Sequence, residues 1–236
     1  MGRQEEIVKE RIKKISELRK DGINPYISKY YFDNVSSELQ KHYKNLKNGE
    51  KSKGKVKVAG RLTIIRDMGK IAFASLLDSQ GKIQIVLQEK ETPEKTRHFF
   101  KKYLDEGDFV GVDGTILRTK RGELSILVKD IKLLTKSILP LPEKWHGLQD
   151  NEERLRKRYL DILMNPEIKE MFIKKSKFWQ TIRNFLLSHE FLEVETPVLE
   201  NSAGGASANP FKTHHNALDI DIYLRISMGE LWQKKL

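Results

Sequence analysis

Phe191-Leu192-Glu193-Val194-Glu195-Thr196-Pro197 closes the stretch, residues 165–200, around which the second half of this sequence is organised. The stretch opens with Asn165-Pro166-Glu167: a capping side chain, a proline at the first turn and a carboxylate near the positive helix end. Apolar side chains then recur at helical spacing until Ser188-His189, which predicts a long helix. From Phe191 the period changes to two, which predicts a strand that stops at Thr196-Pro197, because proline cannot donate to a sheet ladder.

This seven-residue run resembles the first signature motif of the class II aminoacyl-tRNA synthetases. In that family, the helix and the strand build the dimer interface and support an antiparallel catalytic sheet. The resemblance therefore implies a homodimer, with Glu195 and Pro197 in the motif. An ordinary amphipathic helix followed by a half-buried strand explains this segment equally well, so the neighbouring segments must decide between the two interpretations.

The composition limits the class of protein. The chain has 236 residues, enough for two modest domains, and its 38% hydrophobic and 33% charged residues indicate a soluble globular protein. The charge of +11 favours phosphate-rich partners, although a merely basic surface is an alternative. The absence of cysteine excludes disulfides, thiolate catalysis and zinc–thiolate sites. We expect a cytoplasmic protein, because no apolar run approaches about 18 residues and the first residues lack the apolar core of a secretion signal.

The first 54 residues form a predicted helical extension. Residues 3–20 read as a helix with a narrow apolar stripe surrounded by lysine and arginine. The stripe consists of Ile7, Ile12, Ile15 and Leu18. The helix is either a basic arm that lies on RNA or a surface helix packed against the next domain. Residues 47–54 are predicted to form a polar, glycine-bearing loop.

Five strands follow, with one short helix between the third and the fourth. The strands are predicted at 56–64, 71–77, 83–87, 109–119 and 123–134, and the helix at 94–104. This layout is typical of an OB-fold barrel. Such barrels bind single-stranded nucleic acid with aromatic faces and a basic groove. A barrel that binds nothing through that face is the alternative, which the positive charge of the chain makes less favourable.

The order of the parts is more informative than any one of them. A stiff linker, Leu139-Pro140-Leu141-Pro142, separates the barrel from the long helix. A barrel, a linker and then this helix and strand resemble the class II subclass that charges lysine, aspartate and asparagine. The resemblance implies an α+β fold in which an OB-fold barrel with flanking helices precedes the beginning of an antiparallel-sheet catalytic domain. The predicted domains are a helical extension at residues 1–54, the barrel at 55–136, a linker at 137–164 and an incomplete catalytic domain at 165–236.

Two further stretches favour lysine among the three amino acids. Residues 203–219 contain Gly204-Gly205, a Pro-Phe pair and the run Thr213-His214-His215-Asn216-Ala217-Leu218-Asp219. Together with His146-Gly147-Leu148-Gln149-Asp150, this stretch is similar to the lysyl-tRNA synthetase family. Adjacent histidines point apart on regular structure, and no carboxylate lies at zinc-site spacing, so a structural role is preferred for His214-His215 over a metal site.

The resemblance also implies residue roles. In the barrel, Phe73 matches the aromatic side chain on which an anticodon base stacks, and Gln84 and Glu123 match the polar groups that read base edges. Arg61 is expected on the same barrel face, in contact with phosphate or base. A carboxylate in a basic groove repels phosphate, so Glu123 suits a donor on a base edge, although a simple turn residue beside Gly122 is the alternative.

In the catalytic half, the family pattern implies that Gly205 contacts the bound lysine through its backbone and that Glu230 pairs with the lysine α-amino group. Compared with that pattern, one extra residue precedes Glu230, so the match between Glu230 and the glutamate of the family stays open. A plain helix-start carboxylate is the alternative. No residue of the chain is predicted to be a catalytic group or a metal ligand.

The implied function is ATP-dependent activation of lysine followed by its transfer to tRNA(Lys), with ATP and Mg²⁺ as cofactors and no membrane or DNA partner. The family's ATP-binding arginines and magnesium carboxylates are expected beyond Leu236, so we expect this chain alone to be inactive in lysine-dependent ATP–pyrophosphate exchange. Two alternatives remain: a non-catalytic RNA-binding module derived from a synthetase, and an aspartyl-type synthetase.

Overall fold

The structure is a computed structural model that describes residues 2–142, 148, 150–202 and 207–227. The chain divides into two compact units, residues 1–160 and residues 161–236. No helix in the described ranges is long and apolar enough to cross a membrane.

The first unit contains a closed five-stranded barrel. Its strands are β1 Lys51–Asp67, β2 Ile71–Leu77, β3 Lys82–Gln88, β4 Phe109–Arg118 and β5 Leu124–Thr135. They are joined in the order β1-β2-β3-β5-β4, antiparallel except for the parallel pair of β3 and β5. Its helices are α1 Arg3–Lys20, α2 Ser36–His42, α3 Glu94–Tyr103 and α4 Asn151–Arg156, and α5 Arg158–Met164 follows at the boundary. Since α3 lies between β3 and β4, the predicted OB-fold is confirmed.

Close backbone approaches allow the barrel to close. Strand β1 pairs with β4 over residues 51–61 and with β2 over residues 61–67. A β-carbon on Gly60 would lie 2.6 Å from the backbone oxygen of Leu77, and one on Gly114 would lie 2.4 Å from that of Leu127. Neither position therefore accepts a side chain. The inward side chains of all five strands then form one apolar core, which α3 covers with Phe100.

Helix α1 packs on the barrel through a face that differs from the predicted stripe. Ile15 and Leu18 are buried as predicted, but Ile12 is 48% exposed and Arg11 is only 7% exposed. Arg11, Ile15 and Leu18 share a face because four and three residues separate them. The Arg11 guanidinium donates hydrogen bonds to three backbone carbonyls, at 2.9, 3.1 and 3.2 Å. These acceptors belong to Glu106, Ser137 and Leu139. The packing supports the second interpretation, a helix held against the barrel.

A buried lysine connects the end of β5 to the segment after α3. The side chain of Lys136 is fully buried, and its Nζ donates to Asp105 at 2.5 Å, to Asp108 at 2.7 Å and to the backbone oxygen of Tyr103 at 2.8 Å. Lys14 of α1 reaches Asp105 at 2.8 Å. Burial raises the pKa of Asp108 more than Lys136 lowers it. These contacts hold α1 against the segment after α3 and the end of β5.

The region before the barrel differs from the prediction in two places. The predicted loop at residues 47–54 is partly wrong, because β1 already begins at Lys51, which pairs with Leu117 of β4. Helix α2 was not predicted, since seven residues are too few for a clear apolar period. Its first residue, Ser36, is fully buried, and Asp78 accepts hydrogen bonds from both its backbone and its hydroxyl.

After the last residues of α5, the second unit contains the predicted long helix, α6 Pro166–Ser188, followed by β6 Leu199–Glu200, β7 Lys212–His215 and β8 Ile220–Leu224. The three strands form an antiparallel sheet in the order β6-β8-β7. No residue of α6 is buried. Its large apolar side chains are exposed, among them Phe178 at 60%, Trp179 at 56% and Phe185 at 59%.

The predicted strand at residues 191–196 is wrong. These residues form no ladder with any described strand, and the first paired residue, Leu199, follows Pro197. Leu192 is 84% exposed, so the alternation does not mark a buried face. An alternating pattern becomes a strand only where a neighbouring strand accepts its backbone hydrogen bonds. The Thr196-Pro197 corner is instead held by Arg225, whose guanidinium donates to both backbone oxygens, at 2.7 and 3.1 Å.

Candidate nucleic-acid interface

An open groove of about 720 Å³ lies on the outer surface of the barrel, and we call it the outer groove. It is formed by β1, β2 and β3, by the turn between β4 and β5, and by the loop before β1. Its lining includes Lys51, Arg66, Phe73, Gln84, Arg121 and Glu123. Three of the four residues predicted for the barrel site, Phe73, Gln84 and Glu123, therefore line one groove.

Phe73 lies on β2 with its ring directed outward. Its neighbours Ala72 and Ala74 are buried in the core, whereas Phe73 is half-buried, as the period of two along a strand requires. It is paired with Arg66 on β1 and with Val86 on β3, whose side chains lie on the same face. The ring is therefore placed where a base can stack on it, beside a guanidinium.

Gln84 lies on β3, directly beside Ser125 of β5. The hydroxyl of the fully buried Ser125 donates a hydrogen bond of 2.8 Å to the Gln84 side-chain oxygen. The side-chain nitrogen of Gln84 has no hydrogen-bond partner among the described residues. Gln84 therefore brings donors to the groove, and Ser125 is a supporting residue that the sequence pattern did not single out.

Glu123 follows a tightly bonded turn between β4 and β5. Its backbone nitrogen donates to the hydroxyl of Thr119, and its backbone oxygen accepts from the Thr119 nitrogen. Arg118 donates to the backbone oxygen of Gly122 at 2.8 Å and to the backbone oxygens that follow α2. The turn is thus fixed from two sides, while the Glu123 carboxylate is exposed. This placement suits a carboxylate that contacts a ligand in the groove.

The turn between β4 and β5 contains a glycine in a left-handed conformation. Gly122 has φ +90°, a conformation that side chains with a β-carbon adopt at a cost. We expect Gly122→Ala to lower the free energy of unfolding by about 1 kcal/mol, as measured by urea denaturation. Gly122→Asn is the matched control, because asparagine tolerates this region better. Equal losses for alanine and asparagine would contradict the backbone explanation, since a β-carbon at Gly122 meets its nearest atom only at 3.5 Å.

Arg61 does not line the outer groove. It pairs with Leu77 on β2, four residues along the strand from Phe73, a separation of about 13 Å. Its guanidinium lies over the ring of Phe109, 4.3 Å from the ring centre, and burial lowers its pKa. A register irregularity between Leu62 and Ile64 shifts β1 by one residue, so that Arg66 rather than Ile65 is paired with Phe73. The role of Arg61 in binding stays a prediction.

The charge of the groove is mostly positive. Six lining side chains are basic and one, Glu123, is acidic. The basic residues are Lys51, Arg66, Lys82, Arg118, Lys120 and Arg121. Arg118 is used within the fold, and Lys51 pairs with Glu91. The other four have no ion-pair partner among the described residues, and are therefore available for phosphate. Sequence reasoning missed them because a turn such as Lys120-Arg121 also looks like ordinary solvent-facing charge.

The residues predicted for the second unit are only partly described. Gly205 and Glu230 lie outside the described residues. Glu195 and Pro197 lie in the unpaired stretch before β6 and are exposed. His214 contacts Asp221 across the β7–β8 pair, with 3.1 Å between its Nδ1 and a carboxylate oxygen.

Comparison with known proteins agrees with this geometry. A family described as "OB-fold nucleic acid binding domain" matches residues 56–134, and one described as "tRNA synthetases class II (D, K and N)" matches residues 150–236. A lysine--tRNA ligase of Thermoanaerobacter sp. is 48% identical over 233 residues, 98% of this chain and 45% of the relative. Those of Carboxydothermus hydrogenoformans and Nostoc punctiforme are 46% and 42% identical, over 98% and 99% of this chain and 46% and 43% of the relatives.

Over almost its whole length, the chain is similar to class II lysyl-tRNA synthetases.

The chain spans a little less than half the length of these lysine--tRNA ligases. The two family matches correspond to the barrel and to the segment that contains α6 and the small sheet. Apart from Gly49 and Lys51, the residues that line the outer groove lie within the segment that matches the OB-fold family.

Proposed function

We propose that the barrel of this chain binds the anticodon of tRNA(Lys), and that the protein to which the chain belongs joins lysine to that tRNA. The observation that carries the proposal is the outer groove, in which an aromatic face, an amide and a carboxylate lie together among basic side chains. Stacking on Phe73, hydrogen bonds to Gln84 and Glu123, and phosphate contacts to Arg66 and Arg121 are the interactions that a single-stranded anticodon requires.

The reaction has two steps. A lysine carboxylate oxygen attacks the α-phosphorus of ATP, which forms lysyl-adenylate and releases pyrophosphate. A ribose hydroxyl at the tRNA 3′ end then attacks the lysyl carbonyl, and AMP leaves. Mg²⁺ would neutralise phosphate charge when bound. Among the described residues, no three carboxylate or imidazole side chains are close enough to hold a metal ion, so we assign none to it.

Dimerisation through the second unit and residence in the cytoplasm belong to the same proposal. Helix α6 exposes Phe178, Trp179 and Phe185, which monomeric surfaces rarely present together. A second copy of the chain would remove this apolar area from water. The homodimer predicted from the sequence motif thus has physical support in the exposed helix.

The proposal is tested in two assays. We expect the chain to bind a stem-loop with the anticodon UUU about tenfold or more tightly than one with GUC, because each well-read base contributes roughly 1–3 kcal/mol. We also expect the protein that contains this chain to exchange pyrophosphate with ATP in the presence of lysine but not aspartate. Equal binding of both stem-loops would contradict the anticodon role. Selective binding without exchange would favour a non-catalytic RNA-binding module, and aspartate-dependent exchange would favour an aspartyl-type enzyme.

A further inference from the structure

We propose that Ser125, which does not line the outer groove, decides which side of the Gln84 amide an RNA base meets. The inference rests on the proposed anticodon role of the groove. It concerns a positioning residue, because Ser125 is fully buried and reaches the groove only through Gln84.

The hydroxyl of Ser125 has one proton and two acceptors within reach. The Gln84 side-chain oxygen lies at 2.8 Å, and the backbone oxygen of Glu123 lies at 3.3 Å. The Glu123 oxygen already accepts a 2.9 Å hydrogen bond from the backbone nitrogen of Thr119. The proton therefore goes to Gln84, because its oxygen is the closer of the two acceptors.

This hydrogen bond fixes the orientation of an amide that could otherwise turn over. An amide has a carbonyl oxygen on one side and two N–H donors on the other, and the two orientations have nearly the same shape. With its oxygen held by Ser125, Gln84 directs its nitrogen away from β5. Without the hydroxyl, either orientation is available, and the groove loses a defined donor.

A defined donor in the same groove as the Glu123 carboxylate distinguishes uracil from cytosine. Uracil carries an acceptor at O4 and a donor at N3, whereas cytosine carries a donor at N4 and an acceptor at N3. Gln84 donors and the Glu123 acceptor therefore match uracil. Cytosine would place its N4 donor against the Gln84 donor and its N3 lone pair against the Glu123 carboxylate. A turned Gln84 would remove half of this discrimination.

The first arm of the test measures RNA preference. Stem-loops with UUU are compared with stem-loops that carry one cytosine at each anticodon position in turn. We expect the wild-type chain to prefer uracil at one position by about tenfold or more, and Ser125→Ala to reduce that preference about fivefold. Ser36→Ala is the matched control, because Ser36 is also fully buried and donates a 2.8 Å hydrogen bond to a side chain, Asp78, but does not line the groove. The control should lose similar stability and keep the preference.

The second arm needs no RNA. The side-chain amide of Gln84, assigned by its loss in Gln84→Ala, is followed by ¹⁵N relaxation. We expect its order parameter to fall in Ser125→Ala and to stay unchanged in Ser36→Ala. An unchanged order parameter, or an unchanged uracil preference with a freed amide, would overturn the role of Ser125. If the wild-type chain had no uracil preference at any position, the anticodon role would fail, while the relaxation result would still show whether Ser125 holds the amide.

Discussion

Replacement of Lys136 by methionine is expected to lower the free energy of unfolding by about 3–5 kcal/mol. The ammonium group is fully buried and is the shared partner of Asp105 and Asp108. Methionine fills similar space but leaves two carboxylates facing each other, with Lys14 beside only one of them. Urea denaturation of the chain measures the loss.

Two further variants separate the buried network from ordinary surface charge. Lys101→Met removes an ion pair with Asp67 whose side chains are 37% and 42% exposed, and should cost about 0–1 kcal/mol. Adding Asp108→Asn to Lys136→Met should recover part of the loss, because it removes one uncompensated charge. A loss for Lys136→Met no larger than that for Lys101→Met would show that the buried network does not stabilise the barrel.

The cost of Lys136→Met should also depend on pH. Burial raises the pKa of Asp108 even with Lys136 present, and the variant removes the group that opposes this rise. A carboxyl group with a raised pKa in the folded state contributes stability at low pH, which is lost as the pH rises through that pKa. The difference between wild type and variant should therefore grow from acidic to neutral pH. A difference that shrinks over this range would contradict this account.

The second large effect concerns binding. Phe73→Ala should weaken binding of a UUU stem-loop by about 5- to 150-fold, which corresponds to the 1–3 kcal/mol that stacking contributes per base. The fold should remain intact, because Phe73 lies on the outer face and outside the apolar core. Fluorescence anisotropy with a labelled stem-loop measures the affinity, and thermal unfolding checks the fold.

Tyr31→Ala provides a control for Phe73→Ala. Tyr31 is an aromatic side chain of the same unit, 81% exposed and outside the outer groove. Its removal should leave RNA affinity unchanged, whereas Phe73→Tyr, which keeps an aromatic face, should retain most of the affinity. Unchanged binding by Phe73→Ala would remove the stacking role, and equal losses for Phe73 and Tyr31 would indicate a nonspecific effect of removing aromatic surface.

Much of the barrel could be predicted because its determinants are local. Strand β2 alternates core and surface side chains over seven residues, so its outward Phe73 follows from the pattern alone. Turns that end strands carry glycine at positive φ, as at Gly69 and Gly122. Helix α6 begins at the predicted proline, because the fixed φ of proline suits the first turn of a helix. In each case, neighbours in sequence supply the signal.

The errors occur where a distant residue decides the outcome. Arg11 looked like surface charge on α1, but carbonyls nearly a hundred residues or more away accept its hydrogen bonds. Residues 191–196 alternate like a strand, but no described strand lies beside them. A one-residue register irregularity in β1 places Arg66 rather than Ile65 opposite Phe73, and Arg61 pairs farther along with Leu77.

The amino-acid sequence by itself determined the class of fold, the order of the domains and the candidate stacking residue of this protein, since periodicity, turn residues and motif order are properties of the chain. Only the tertiary structure decided which residues meet in the outer groove and how they are held. Ser125 is 41 residues from Gln84 in sequence, and their contact exists only because β3 and β5 pair in parallel when the barrel closes. Contacts of this kind depend on strand pairing across the whole domain, which no local pattern encodes.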